Sequence, residues 1–224
     1  MQIITTGDGS HTLFSEQFNE VYKSRHGAIE ESKHVFMKEG LEYVLSSRVG
    51  EEAVRIFELG FGTGLNAMLT MLEAEKRNIK IDYTTIELYP VDIDTIKALN
   101  YTQQLGYEYC YGPYHSLHLV RWNETHQVTP HFAFKKIQDS VFNCQLPTTN
   151  YQLIYFDAFA YTHQPEIWSA EVFRKMYDAL EPNGTLVTYS SKVVVRRAME
   201  EAGFTIEKIP GPPGRREMVR AHKQ

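Results

Sequence analysis

The stretch Ile56-Phe57-Glu58-Leu59-Gly60-Phe61-Gly62-Thr63-Gly64-Leu65-Asn66 decides how the rest of the chain is read. An apolar run from Val54 to Leu59 stops at three glycines spaced two apart. A helical pattern begins at once, with Leu65, Met68, Leu69 and Leu72 on one face. The predicted order is a strand over about 54–59, a tight turn, and a helix over about 64–77. Glycines at such a turn take backbone conformations closed to other residues and let a ligand lie against bare main chain. The first turn of the helix behind them points free N–H groups at that ligand.

Downstream, residues 81–88 read as a second strand, and Glu87 stands at its end. One carboxylate there matches two adjacent ribose hydroxyls. Pro90 is expected to open the next helix, through Leu99. Residues 117–122 and 131–137 alternate like a pair of strands, and Asp139 follows the second, placed to accept a hydrogen bond from an adenine amino group. Tyr151 to Phe156 is an apolar strand that delivers Asp157-Ala158-Phe159-Ala160-Tyr161 to its carboxyl end, where open α/β sheets collect catalytic groups. A helix is expected from Gln164 to Leu180, a turn at Pro182-Asn183-Gly184, and a strand over 185–189. A helix over 193–202 and strands over 204–208 and 218–221 complete the pattern. Before all of this, Asp8-Gly9 between short alternating runs suggests a hairpin, and residues 30–47 read as a helix bent near Gly40. With no repeat or linker inside, the expected division is an N-terminal hairpin and helix extension, residues 1–50, packing on the cofactor site, and one α/β domain, residues 51–224.

Composition narrows the class. The 224 residues are 42% hydrophobic and 23% charged, as in a globular chain. No run of some 18 apolar residues predicts a membrane span, and no basic segment leading into an apolar core predicts a signal peptide. Cys110 and Cys144 are far apart, which points to a cytoplasmic location and to neither a metal nor a redox pair. The nine histidines show no ligand spacing, so no metal is expected. A net charge of −5 argues against a broadly basic nucleic-acid binder. Residues 192–224 nevertheless carry eight Lys or Arg against four acids, either a solvated basic terminus or a local basic surface.

Glu58-x-Gly60-x-Gly62-x-Gly64 resembles the first motif of class I S-adenosylmethionine (SAM) methyltransferases, rather than the G-x-G-x-x-G of dinucleotide folds. The resemblance implies a Rossmann-like, seven-stranded, mostly parallel sheet with helices on both faces. It implies SAM as cofactor, held by Glu58, Gly60, Phe61, Gly62, Gly64, Asn66, Glu87 and Asp139. A more specific resemblance rests on several motifs in order. They are Thr6-Gly7-Asp8-Gly9-Ser10-x-Thr12-Leu13, the glycine loop with Leu65-Asn66, Phe156-Asp157-x-Phe159-Ala160, Pro165-x-x-Trp168, Tyr189-Ser190-x-Lys192, and Pro210-Gly211-Pro212-Pro213-Gly214-x-Arg216-Glu217-Met218. Together these resemble the methyltransferase domain of the MnmC-type tRNA-modifying enzymes. The chain differs in having Ala158, Tyr161 and Val193 where that family often has Gly, Pro and Gly, and Arg215 where Lys is usual.

That resemblance implies SAM-dependent N-methylation of 5-aminomethyl-2-thiouridine at the tRNA wobble position, giving 5-methylaminomethyl-2-thiouridine. It implies tRNA as a transient partner. It also implies a separate FAD-dependent oxidoreductase, or another enzyme, to supply the aminomethyl uridine. Asp157 would hold the amine and route its proton, Phe159 would stack on the base, and Lys192, Arg215 and Arg216 would contact tRNA. Two other readings stay open at this level. One is a small-molecule amine methyltransferase or aminopropyltransferase-like enzyme. The other is a catalytically silent SAM- or RNA-binding protein.

Overall fold

The computed structural model describes residues 1–47, Gly50 and 52–224. The boundary expected between 50 and 51 involves Glu51 and lies outside the described residues. The chain begins with a three-stranded antiparallel sheet, β1 (Gln2–Thr5), β2 (His11–Ser15) and β3 (Glu20–Val21). The expected hairpin is its first half, with Thr5 opposite His11. Its loop is tied by Asp8, whose Oδ1 accepts the Ser10 backbone N–H at 3.0 Å and the Thr6 hydroxyl at 2.8 Å. One helical rod follows, α1 (Ala28–Ser32), a π-wound segment Lys33–Glu42, and α2 (Tyr43–Ser47). The irregularity expected at Gly40 is this wider winding. A Cβ at Gly40 would stand 3.1 Å from Val187 and 3.2 Å from Tyr155, so the glycine lets the rod lie directly on the main sheet.

That sheet is built from β4 (Val54–Leu59), β5 (Ile81–Glu87), β6 (Thr125–Thr129), β7 (Phe132–Gln138), β8 (Tyr151–Phe156), β9 (Leu180–Thr188), β10 (Thr205–Pro210) and β11 (Glu217–His222), in the order β10-β11-β9-β8-β4-β5-β7-β6. The five central strands are parallel; β6 runs antiparallel to β7 at one edge, and at the other β11 runs antiparallel to both β9 and β10. Five of six residues in β4 and in β8 are buried, as strands covered on both faces require. The helices are α3 (Leu65–Arg77), α4 (Ile93–Lys97), α5 (Tyr101–Gln104), α6 (Tyr111–Leu119), α7 (Ala170–Ala179) and α8 (Val193–Glu201). Asn78, in the left-handed conformation at φ 54°, ends α3 by returning its N–H to the last turn.

Four expectations need correction. Among the described residues the sheet has eight strands rather than seven, because β6 adds to the far edge. Residues 117–122 are not a strand: Tyr114 and Leu117, three apart and buried, are the inner face of α6, and the strand starts at Thr125. Pro90 does not open a helix; Asp92 caps α4, its Oδ1 accepting the Thr95 N–H at 2.9 Å. The helix expected over 164–180 is broken at Ser169. A 3-10 turn, Pro165–Trp168, precedes it, and the Ser169 hydroxyl caps α7.

The chain enters the sheet at its centre on β4, runs outward through β5 and β7, then returns to β8 on the other side of β4. The crevice between β4 and β8 is where such a sheet places its ligands. Leu59 pairs with both Ile86 and Phe156. Gly60, Glu87 and Asp157 are therefore level with one another at three neighbouring strand ends.

Candidate active site

The glycine loop forms the floor of a cleft at these strand ends. Gly60 has φ 94°, and a Cβ there would collide with the Asp157 carbonyl. Gly62 has φ 50° and would place a Cβ 2.9 Å from Tyr22. The loop thus lies flat between β8 and the N-terminal sheet, leaving a bare main-chain surface that a side chain would fill. Glu87 grips it from the side, Oε2 accepting the Gly62 N–H at 2.9 Å and Oε1 the Tyr89 N–H at 2.8 Å. Burial pushes the Glu87 carboxyl above its usual range, and these N–H groups oppose the shift.

Beneath the loop runs a buried polar chain. Thr85 donates to Glu58 Oε2 at 2.9 Å, and Asn66 Nδ2 donates to Glu58 Oε1 at 3.0 Å and to Asp157 Oδ2 at 2.8 Å. Lys23 Nζ donates to Asn66 Oδ1 at 2.9 Å and forms an ion pair with Asp157 Oδ2. The Lys23 and Asp157 side chains are only 5% and 7% exposed. Lys23 is aimed by its backbone: its N–H donates to the Thr12 hydroxyl at 2.9 Å, locking the end of β3 onto β2. Glu58 is fully buried, and its carboxyl is pushed up to about 8 by that burial and by the Asp157 charge.

An aromatic cover closes the cleft. Phe159 packs between Phe18, 4.8 Å away, and Tyr22, 4.9 Å away between ring centroids. Trp168 fixes the backbone of Phe159 by donating to its carbonyl at 2.8 Å. On the opposite side Arg215 lies 4.4 Å over the Tyr189 ring, and Tyr189 donates to the Ala158 carbonyl at 2.8 Å. Among the described residues the cleft is lined by six carboxylates (Glu20, Glu31, Glu87, Asp139, Asp157 and Glu166) and two fixed cations, Lys23 and Arg215.

Of the residues singled out from sequence, Gly60, Phe61, Gly62, Glu87, Asp139, Asp157, Phe159 and Arg215 line this one cleft. Glu58, Gly64 and Asn66 do not: the first and last form the buried chain below it, and Gly64 lies against Phe61 and His118. Lys192 and Arg216 are also outside it, both exposed, with Lys192 Nζ 5.8 Å from the Tyr161 ring. Sequence reasoning missed Lys23 and Glu31, the second buried to 5% exposure on α1. Glu31 does carry a signal: it sits three residues after Ala28 and four before Val35, on a face that is otherwise apolar. Among the described residues no cluster of His, Cys, Asp or Glu is placed to hold a metal, and no helix is long and apolar enough to cross a membrane.

The parallel centre, the glycine loop after its first strand and the crevice beside it define the fold of a class I methyltransferase. The crystal structure of MnmC2 from Aquifex aeolicus has the same fold, with a TM-score of 0.76 and 22% identity over 98% of this chain and 69% of that one. Spermidine synthase from Thermotoga maritima shares it more distantly, with a TM-score of 0.53 and 10% identity over 96% of this chain and 68% of that one. The family model described as S-adenosyl-L-methionine-dependent methyltransferase matches residues 113–224, half of the sequence. The chain belongs to that family, and its cofactor is SAM. The cradle of Gly60 and Gly62, with carboxylates at the ends of β5 and after β7, fits a nucleoside-bearing cofactor of this kind. Two relatives are the tRNA 5-methylaminomethyl-2-thiouridine biosynthesis bifunctional proteins MnmC of Nitrosospira multiformis and Pseudomonas paraeruginosa. The first is 30% identical over 220 residues, 92% of this chain and 34% of the relative. The second is 29% identical over 214 residues, 92% of this chain and 32% of the relative. This chain therefore spans about a third of the length of these curated relatives.

Proposed function

We propose that this methyltransferase acts on the amine of 5-aminomethyl-2-thiouridine at the wobble position of tRNA, forming 5-methylaminomethyl-2-thiouridine. The observation that carries the reading is the acidic cleft, six carboxylates against two cations, in a chain similar over 92% of its length to part of the MnmC proteins. An alkylammonium is drawn to such a cleft, because carboxylates with low-dielectric walls focus the field on a cation. SAM supplies a methyl group already activated on a sulfonium. The protein's task is to hold a nitrogen in line with that methyl and to keep the nitrogen neutral.

In this reading the backbone of Gly60, Phe61 and Gly62 bears the cofactor. Glu87 takes the ribose hydroxyls and Asp139 the adenine amine. Glu58, Gly64 and Asn66 act from behind, keeping the loop and Asp157 in place. Asp157 orients the substrate amine and Phe159 stacks on the base. Arg215 at the rim, with Lys192 and Arg216 outside it, contacts tRNA backbone. Residues 1–50 act as the cap of the cofactor site and 51–224 as the catalytic domain. The aminomethyl uridine comes from a separate enzyme, an FAD-dependent oxidoreductase among the candidates, and the work is done in the cytoplasm.

The test is methyl transfer from labelled SAM to tRNA taken from cells that stop at 5-aminomethyl-2-thiouridine, with mass spectrometry of the nucleosides. The expected result is one added methyl on that nucleoside. No transfer, with SAM binding intact by calorimetry, would overturn the tRNA reading. Methylation of free amines would then favour a small-molecule enzyme, and no turnover on either substrate a silent binder.

A further inference from the structure

The carboxylates at the Asp157 end of the cleft are not equivalent. Asp157 Oδ2 has both lone pairs occupied, one by the Lys23 ammonium and one by the Asn66 amide. A proton on either oxygen of Asp157 would neutralise the charge that pairs with the buried Lys23 ammonium. Glu58 is sealed below, holding Thr85 and Asn66. Glu31 differs from both. Its Oε1 accepts the Ser24 N–H at 3.0 Å. Among the described residues its Oε2 has only the Arg215 Nε at 3.8 Å, beyond hydrogen-bond range. Glu31 nevertheless lines the cleft.

We infer that the proton-handling is divided: Asp157 orients the substrate nitrogen through Oδ1, the oxygen that neither Lys23 nor Asn66 holds, and Glu31 Oε2 takes the proton that makes this nitrogen nucleophilic. The inference rests on the amine N-methylation proposed above. The substrate arrives as R–CH2–NH3+. One proton passes from nitrogen to Glu31, leaving a neutral amine and a neutral carboxylic acid. The nitrogen lone pair then forms the N–C bond, and the old C–S bonding pair stays on sulfur. The product is the secondary ammonium R–CH2–NH2+–CH3, and Glu31 returns its proton to solvent through the cleft. The charged and titratable groups facing Glu31 are Lys23 after β3, Asp157 after β8, Tyr189 after β9 and Arg215 before β11. Burial raises its proton affinity, Lys23 and Arg215 oppose this and Asp157 adds to it, so the group holds a proton more readily than a surface glutamate.

The test is Glu31→Gln, which retains an acceptor for Ser24, with SAM affinity by calorimetry to show that the site is intact. The expected loss in kcat near neutral pH is about 100-fold. Activity should climb back tenfold per pH unit as pH approaches the value at which the free ammonium deprotonates, while wild type stays flat. A second readout needs no turnover. An infrared difference spectrum on mixing the aminomethyl tRNA with SAM-free protein should gain a protonated-carboxyl band in wild type that Glu31→Gln lacks. A Glu31→Gln pH profile matching wild type, or a band that persists in the variant, would overturn the assignment while leaving N-methylation standing. Wild type that methylates no such tRNA would instead remove the function and this inference together.

Discussion

Gly60, Glu87 and Asp157 reach the cleft from three neighbouring strand ends, whereas Lys23 and Glu31 reach it from the N-terminal sheet and the helical rod. The first wall is positioned by backbone register: once Leu59 pairs with Ile86 and Phe156, the next residue on each strand is level with the others. The second wall is positioned by side-chain contacts, such as the Thr12 hydroxyl that holds the Lys23 backbone. The sheet therefore provides a cofactor floor common to many methyltransferases, and the cap sets the charge that a substrate meets. A buried ion pair between Lys23 and Asp157, residues 134 positions apart in the chain, joins the two walls.

Breaking that join should have the largest effect. Lys23→Met leaves Asp157 buried beside Glu58 and Glu31 without its ion-pair partner, and removing one partner of a buried pair costs about 3–5 kcal/mol. Calorimetry should show the unfolding midpoint lower by roughly 10 °C. Adding Asp157→Asn should recover part of the loss, and a double variant no better than the sum of the singles would mean the walls are uncoupled. Gly60→Ala strikes the floor alone. It forces a Cβ into the Asp157 carbonyl at a left-handed φ, which should cost about 2 kcal/mol and lower SAM affinity more than tenfold. An alanine tolerated in both stability and SAM affinity would show that the floor is more adaptable than the register implies.

Below the join the size of the effect is set by pH. Glu58 has its carboxyl raised from 4.5 to about 8, so the folded state holds a proton that the unfolded chain releases earlier. Its contribution to stability is complete below pH 4.5 and is lost as pH rises through about 8. Glu58→Gln stays neutral throughout, so relative to wild type it should gain about 4 kcal/mol at pH 8 and next to nothing near pH 4.5 in urea unfolding. A gain of equal size at both pH values would show that Glu58 is not the group titrating.

The legible and illegible parts of the molecule follow the same division. The strands β4, β5 and β8 and the helix α3 could be read because their apolar spacing is a local property, and the residues at their ends followed. Helix α6 is hidden in the sequence because Leu117 to Trp122, which runs past its end at Leu119, alternates like a strand, and packing of Tyr114 and Leu117 against the core selects the helix. The helix expected over 164–180 splits because Ser169 offers a cap that the apolar pattern does not reveal. Lys23 had no local signal at all, and Glu31 had only its place on an apolar face.

By itself the sequence determined the doubly wound sheet, the flat glycine turn, and which acids stand at the strand ends. Each of these depends on backbone preferences and residue spacing within a few turns of chain. Only the tertiary structure decided which charge meets which. It brought Lys23 onto Asp157, set one oxygen of Glu31 3.8 Å from Arg215, and placed Lys192 and Arg216 outside the cleft. The physical reason is that the effect of a charge depends on its distance from other charges and from water. For residues far apart in sequence, folding sets those distances and no local pattern encodes them.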